Sequence, residues 1–334
     1  MTETIKTKSR RKTPWTETSE AAPLESYIDA VTGDDYSHRH PSLRDSGEAE
    51  FLNSIPSAHC RHCGSERFVR NGTTAYGVHR YKCKDCGKSF TLPTNTIFDS
   101  HRLPISQWMG YLLDIFSFGS LNLSSKVNRN SINTTRYCRD KTFLLLDGIQ
   151  DDIVLSGEVW LDETFFKVRV NDIENKSDGL EYRGLSRNQI CIGVACDKDH
   201  SIFIVEGFGK TSKRRTLEAF GKHITEGSTL IHDKEKAHEI LVSQLSLSSI
   251  AYDSKDLKGM DDDANPLDPV NELCRLLKLF LRAHSGFIRD DLQGYLNLFH
   301  VIMNPPENKY EKVKKILELG LEKSVLLRYR DQKP

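Results

Sequence analysis

Four cysteines in two matching frames limit the fold of this chain more than any other feature. Cys60-Arg61-His62-Cys63-Gly64 is answered by Cys83-Lys84-Asp85-Cys86-Gly87, with residues 64–82 between the pairs. Two Cys-x-x-Cys pairs at this distance can supply four thiolates to one tetrahedral zinc ion. The glycine after each second cysteine suits a tight knuckle that turns backbone amides toward sulfur. Residues 68–72 and 79–82 read as the two strands of a hairpin. Residues 57–92 are therefore expected to form a zinc ribbon, with structural Zn2+ on Cys60, Cys63, Cys83 and Cys86. The competing reading is four buried or redox-active thiols. The N-terminus is polar and basic, without the apolar core of a signal peptide, and no apolar run approaches the ~20 residues needed to span a bilayer. The expectation is a cytoplasmic protein with no membrane partner, in a compartment that keeps thiols reduced.

Lys and Arg (47) balance Asp and Glu (47), but the balance is uneven along the chain. Five basic groups crowd residues 6–12. The cysteine segment carries Arg61, Arg67, Arg70, Arg80, Lys82, Lys84 and Lys88 against Glu66 and Asp85. Such patches suggest a polyanionic partner, with solvated surface charge as the bland alternative. With Phe68, Tyr76, Tyr81 and Phe90 interleaved, nucleic acid is favoured. Arg61, Arg70, Arg80, Lys82, Lys84 and Lys88 are the expected DNA contacts there.

Residues 1–50 show no sustained apolar period and read as a disordered, basic tail. From residue 101 to 150 the pattern is helical. Trp108, Tyr111, Leu112, Ile115 and Phe116 recur at helical spacing, and helix starts are expected at 124–126 and 130–135. Lys126, Arg129, Arg136, Arg139 and Lys141 face a single acid, Asp140. A helix from about Ser131 with Thr134, Thr135, Arg136 and Arg139 outward would suit a recognition helix; a packing helix with a basic solvated face is the alternative.

After Gly157 the chain reads as strands at 159–170, 189–196 and 201–206. A helix (214–224), a strand (228–232), a helix (237–245), a strand (249–252) and a helix capped by Asp268 with Pro269 at its first position follow. That order predicts an α/β RNase H-like domain over 155–304, a mixed sheet flanked by helices. Residues 305–334 are left as a C-terminal helical extension.

Acids are common, so position must select among them. Asp162 lies inside the first of these strands, sharing a face with Trp160, Thr164 and Phe166, while Glu163 faces the other way. A carboxylate there costs free energy unless it is paired or binds metal. Asp233 ends a strand that opens into a helix, where α/β folds put their chemistry. On the helix from Pro269, Asn271 and Lys278 stand two turns apart on one stripe with Arg275 and Arg282, opposite Leu273, Leu276, Leu277 and Phe280.

Together these motifs resemble the zinc-ribbon insertion-sequence transposases of the ISXO-two-like group, which share the DDE transposase fold and a D-D-N-K or D-D-E-K signature. The resemblance covers roughly residues 57–304. It is carried by the two cysteine knuckles, Val159-Trp160-Leu161-Asp162-Glu163-Thr164, Ile231-His232-Asp233-Lys234, the run 270–278 and Leu292-Gln293-Gly294-Tyr295-Leu296. It implies a catalytic set of Asp162, Asp233, Asn271 and Lys278. Asp162, Asp233 and Asn271 would hold Mg2+ or Mn2+, as a pair of ions, and Lys278 would touch DNA phosphate. It further implies cleavage by water at the element's terminal inverted repeats and attack of the freed 3′-hydroxyl on target DNA, by a homo-oligomer on the DNA. Two departures stand out. The aromatic expected four residues before the lysine is Cys274, and the third ligand is an amide without charge. Glu272, about 100° round the helix, is the poorer ligand on geometry. A purely hydrolytic nuclease and a DNA-binding regulator descended from an inactive transposase are the alternative functions.

Overall fold

The computed structural model describes residues 46–327, save 102, 169, 254, 262, 263 and 286. The basic tail up to residue 45 and the extension beyond 327 lie outside the described residues. The last part of the expected tail is not irregular: α1 (Ser46–Ser54) is a helix with Ala49 and Leu52 buried. Glu48 explains its place. Its carboxylate accepts from the Ile105 backbone N–H (2.8 Å) and meets His101 Nε2 at 2.7 Å. It thus caps the next helix, α2 (Ile105–Phe116), whose own N-cap, Pro104, has no side chain to do so.

The cysteine segment is a three-stranded antiparallel sheet, β1 (Phe68–Thr73), β2 (His79–Cys83) and β3 (Ser89–Thr91). The third strand adds to the hairpin expected from sequence. Phe68, Tyr81 and Phe90 pack on one another with ring centroids 5.4 Å apart. These three aromatics are the module's own small core rather than a surface for bases, because a segment this short has little else apolar to bury. Tyr76 is exposed.

Helices α2, α3 (Leu121–Val127) and α4 (Ile132–Leu146) follow. Ser120 and Ser131 cap α3 and α4, each accepting the N–H three residues on. The start expected at 124–126 is therefore interior. Ser124 is buried, and its hydroxyl donates to Asp114, which also accepts from Asn128.

The second sheet has five strands, β4 (Glu158–Lys167), β5 (Gln189–Cys196), β6 (Ser201–Phe208), β7 (Thr229–Asp233) and β8 (Ser248–Tyr252), in the order β6-β5-β4-β7-β8. β4, β5 and β6 run antiparallel, and β7 and β8 join parallel to β4. This mixed sheet flanked by helices is the RNase H-like arrangement expected. Helices α5 (Lys213–Phe220) and α6 (Glu239–Gln244) cover one face, over Val159, Leu161, Ala195 and Ile202. Helices α7 (Asp268–Ala283), α8 (Leu292–Met303) and α9 (Lys309–Glu322) follow. The other face, with Ile190, Ile192, Val194 and Phe203, packs under α7 and α8 in one continuous core. That core runs on through Trp108, Leu112 and Leu146 to Val313 and Leu321 of α9. Asp268 is the first residue of α7 rather than its cap; Leu267 holds the N-cap position without a side-chain bond, and Pro269 follows at the start as expected. No helix among the described residues is long and apolar enough to cross a membrane.

Candidate metal centre

The two knuckles bring their four sulfurs together. Cys60 and Cys86 Sγ are 3.8 Å apart and Cys63 and Cys83 Sγ 3.7 Å. Four thiolates at ~2.3 Å from one zinc stand at about this separation, so the donor set fits the metal. Gly64 and Gly87 take φ of 74° and 69°, the left-handed turn that lets the chain fold back under the sulfurs. Amides of His62, Asp85 and Cys86 point at sulfur. The N–H bonds from Cys86 and Asp85 help hold the Cys83 thiol down at about 6.

The expected DNA contacts divide. Arg70, Arg80, Lys82, Lys84 and Lys88 are exposed on and beside the ribbon, and Arg136 is exposed on α4. Arg61 is not. It is 9% exposed and donates to the Glu322 carbonyl of α9 (2.9 Å), satisfying a helix end that a knuckle covers. Arg139 is likewise turned inward, bonded to Asp140 at 2.6 Å and to Asp291 at 3.4 Å. Thr135 is buried, its hydroxyl donating to the Ser131 carbonyl within α4. These three belong to packing, and the outward face expected for α4 reduces to Arg136 and its neighbours.

The carboxylates meet where the large sheet changes from antiparallel to parallel. Leu161 pairs with His232 across β4 and β7, so the next step along each strand sets Asp162 beside Asp233. Oxygens of Asp162, Glu163 and Asp233 lie within 4.8 Å of one another. Burial, with the charges of Glu163 and Asp233, pushes Asp162 up to about 7. Crowded carboxylates of this kind call for a proton or a cation, and an all-oxygen set suits a hard divalent ion.

Helix α7 is set against this point. Trp160 Nε1 donates to the Pro266 carbonyl just ahead of the helix (3.0 Å). Cys274, 6% exposed, sits close enough to Asp162 that the carboxylate's charge adds to burial in raising its thiol, while Lys278 acts in the opposite sense. At about 100° per residue, Asn271 and Lys278 flank Cys274 on the outer side. Asn271 is half-buried and Lys278 exposed. Glu272 is committed elsewhere, to Arg275 at 2.5 Å.

Sequence reasoning overlooked the imidazoles. His238, with a fully buried side chain just before α6, meets Glu163 Oε1 through Nε2 (2.8 Å) and His232 Nδ1 through its own Nδ1 (3.0 Å). Its Nδ1 is 3.7 Å from Asp233 Oδ1. His232 reaches Ser249 Oγ of β8 at 3.0 Å. Burial lowers His238, but the Glu163 bond and the charges of Asp233 and Glu206 outweigh it, leaving it raised. Burial and His238 take His232 down to about 4. Two histidines within five residues of Asp233 were the available signal; nothing in strand periodicity says that a residue beyond the strand folds back under it.

No family model matches the chain. The chain is similar to a protein of a transposable element. It is 25% identical over 278 residues to an uncharacterized protein in transposable element ISH50 of Halobacterium salinarum, spanning 79% of this chain and 91% of that protein. Among solved structures, the Mos1 strand transfer complex aligns with TM-score 0.30 at 13% identity, over 65% of this chain and 76% of that one. The Mos1 mariner paired end complex with Mn gives 0.27 at 13% identity over the same shares. A simian T-cell lymphotropic virus intasome in complex with PP2A regulatory subunit B56 gamma gives 0.29 at 10% identity, over 45% of this chain and 49% of that one, about half its length. Likeness this slight carries no argument about function.

Proposed function

We propose that this chain is an insertion-sequence transposase of the ISXO-two-like group, cutting DNA at terminal inverted repeats and joining the freed ends to target DNA. The observation that carries the reading is the meeting of Asp162 and Asp233 at the sheet's change of direction, with Cys274 of α7 near Asp162. The kinship with a protein of a transposable element supports it. Asp162 and Asp233 would hold Mg2+ or Mn2+, with Asn271 offering its amide oxygen. Such ions neutralise charge on the scissile phosphate and activate the attacking oxygen. Lys278 would contact a DNA phosphate, and Arg70, Arg80, Lys82, Lys84, Lys88 and Arg136 would track the duplex backbone. Zn2+ on the four cysteines would hold the ribbon in shape. A homo-oligomer on the DNA would bring two ends together.

The test is incubation of the protein with terminal-repeat DNA and a target plasmid in Mg2+ or Mn2+. Joined product supports the transposase, cutting without joining points to a nuclease, and binding alone to a regulator.

A further inference from the structure

Glu163 is the surplus carboxylate. By strand alternation it belongs to the face of β4 opposite Asp162, yet its oxygen lies within 4.8 Å of those of Asp162 and Asp233. Its side chain is 6% exposed, and its neighbours say why it stays there. His238 Nε2 reaches Glu163 Oε1 at 2.8 Å, and a carboxylate can only accept, so the imidazole donates. The far side of the same ring is held by His232 (Nδ1 to Nδ1, 3.0 Å), whose plane lies at 72° to it with centroids 4.9 Å apart. His232 is held in turn by Ser249 Oγ at 3.0 Å. Four residues thus form one chain of contacts from the edge strand β8 to the central strand β4, passing beneath Asp233. A ring fixed on both nitrogens has no freedom to swing, and neither has the carboxyl group bonded to it.

The chain of contacts also answers a deficit. Two aspartates and an amide give a divalent ion two negative charges, and hard cations bind more tightly as carboxylates are added. We propose that His238, braced by His232 and Ser249, is a positioning residue that holds the Glu163 carboxylate against Asp162 and Asp233, so that three carboxylates address the divalent cation. This rests on the metal-dependent reading of Asp162 and Asp233 above and adds to it a ligand and the residue that aims it.

Calorimetric titration of Mn2+ into the full-length, zinc-loaded protein tests it without recourse to activity, with thermal melts alongside. Wild type should bind Mn2+, and Asp162→Asn should abolish binding. Glu163→Gln, nearly the same shape without the charge, should weaken binding about tenfold or more, and His238→Phe by about 10–100-fold, the range for residues that orient metal ligands. His238→Gln retains an N–H near the Nε2 position and should recover most of the affinity. If His238 acts through Glu163, His238→Phe should cost nothing further in the Glu163→Gln background. Wild-type affinity in Glu163→Gln overturns the proposal, and that variant decides even if His238→Phe fails to fold. A full His238→Phe penalty in the Glu163→Gln background overturns it as well. Should wild type lack an Asp162-dependent Mn2+ site, the metal reading itself falls and takes this proposal with it. Binding lost in Asp162→Asn but untouched in His238→Phe removes the positioning role alone.

Discussion

Asn271 offers an oxygen without a charge, and that makes it the residue at which the proposed mechanism is most exposed. One turn from Cys274, whose thiol feels the Asp162 charge, an amide could still ligate a hard ion, though more weakly than a carboxylate. Asn271→Ala should abolish strand joining. Asn271→Asp should keep measurable joining and lower the metal concentration required. Asp162→Asn and Asp233→Asn should both be severe. Glu272→Gln should leave joining intact, since that carboxylate is spent on Arg275 at the surface. A metal titration of joining for the five variants checks the set; a dead Glu272→Gln with an active Asn271→Ala would move the third ligand to Glu272. Glu206 makes a different kind of prediction. Buried on β6 and bonded to Thr216 and Thr211, it is pushed up to about 7 by burial, despite the opposing Thr211 bond. Its Oε1 approaches Gly193 so closely that a Cβ there would come within 2.6 Å. The folded state therefore holds this proton more firmly than the unfolded chain, whose glutamate titrates near its ordinary value. Stability should fall as pH rises from about 4.5 through about 7, because over that window unfolding releases the proton. Glu206→Gln, neutral throughout, should flatten that slope in thermal melts taken across the same range; an unchanged slope would assign the dependence to another group.

Among the elements, the ribbon is the one whose stability would rest on the proposed zinc, because its own core is small. Its apolar centre is Phe68, Tyr81 and Phe90 packed beside Cys60 and Cys83. A module with so little to bury folds on its ligand. Cys83→Ser should unfold residues 57–92 and weaken binding to terminal repeats; a folded module in protein free of zinc by metal analysis would end this reading. Lys82 and Lys84 stand exposed at the end of β2. If each neutralises one phosphate, replacing either by alanine should lower the salt dependence of DNA binding by about one unit of slope in a log–log plot. How much of this could be read from sequence differs by element, for physical reasons. Cysteine frames and period-2 strands are local signals. The knuckles, β5 and the succession of strands and helices in the large domain were legible, as were the positions of Asp162 within one strand and Asp233 at the end of another. Caps are subtler: Ser124 looked like a helix start but spends its hydroxyl on Asp114, and Ser120 does the capping. Arg61 and Arg139 could not be read as inward-facing, because the distant residues they reach, Glu322 for Arg61 and Asp291 for Arg139 beyond its neighbour Asp140, lie far along the chain. His238 was illegible for the same reason, its role depending on β4, 75 residues earlier.

The described molecule is knit together by helix α9. One core runs from the sheet's Ile190 and Phe203 through Trp108 and Leu112 to Val313, Ile316, Leu317 and Leu321 of α9. Gly320 of α9 lies so near Phe98 that an added Cβ would approach its ring to 2.8 Å. The end of α9 also receives Arg61, so the ribbon's first knuckle is anchored on α9 as well as on its sequence neighbours. The bond from Asn95 to the Arg61 carbonyl (2.7 Å) secures the same knuckle from the other side. Ribbon, helical segment and sheet therefore share one packed body, and α9 should matter to all three. Leu321→Ala removes a side chain 2% exposed and should cost about 2–5 kcal/mol in urea denaturation, the range for emptying a buried leucine site. Ending the chain after residue 304 should do more. It would bare Ile97 and Phe98 to water, remove the carbonyl that Arg61 holds, and let the first knuckle move. The truncated protein should melt at lower temperature and exchange amide hydrogens faster at residues 60–64, with terminal-repeat binding reduced even though every exposed ribbon cation is retained. A truncated chain that keeps the melting temperature, the exchange protection and the affinity of the full protein would show that α9 is peripheral and that the ribbon stands on its own zinc.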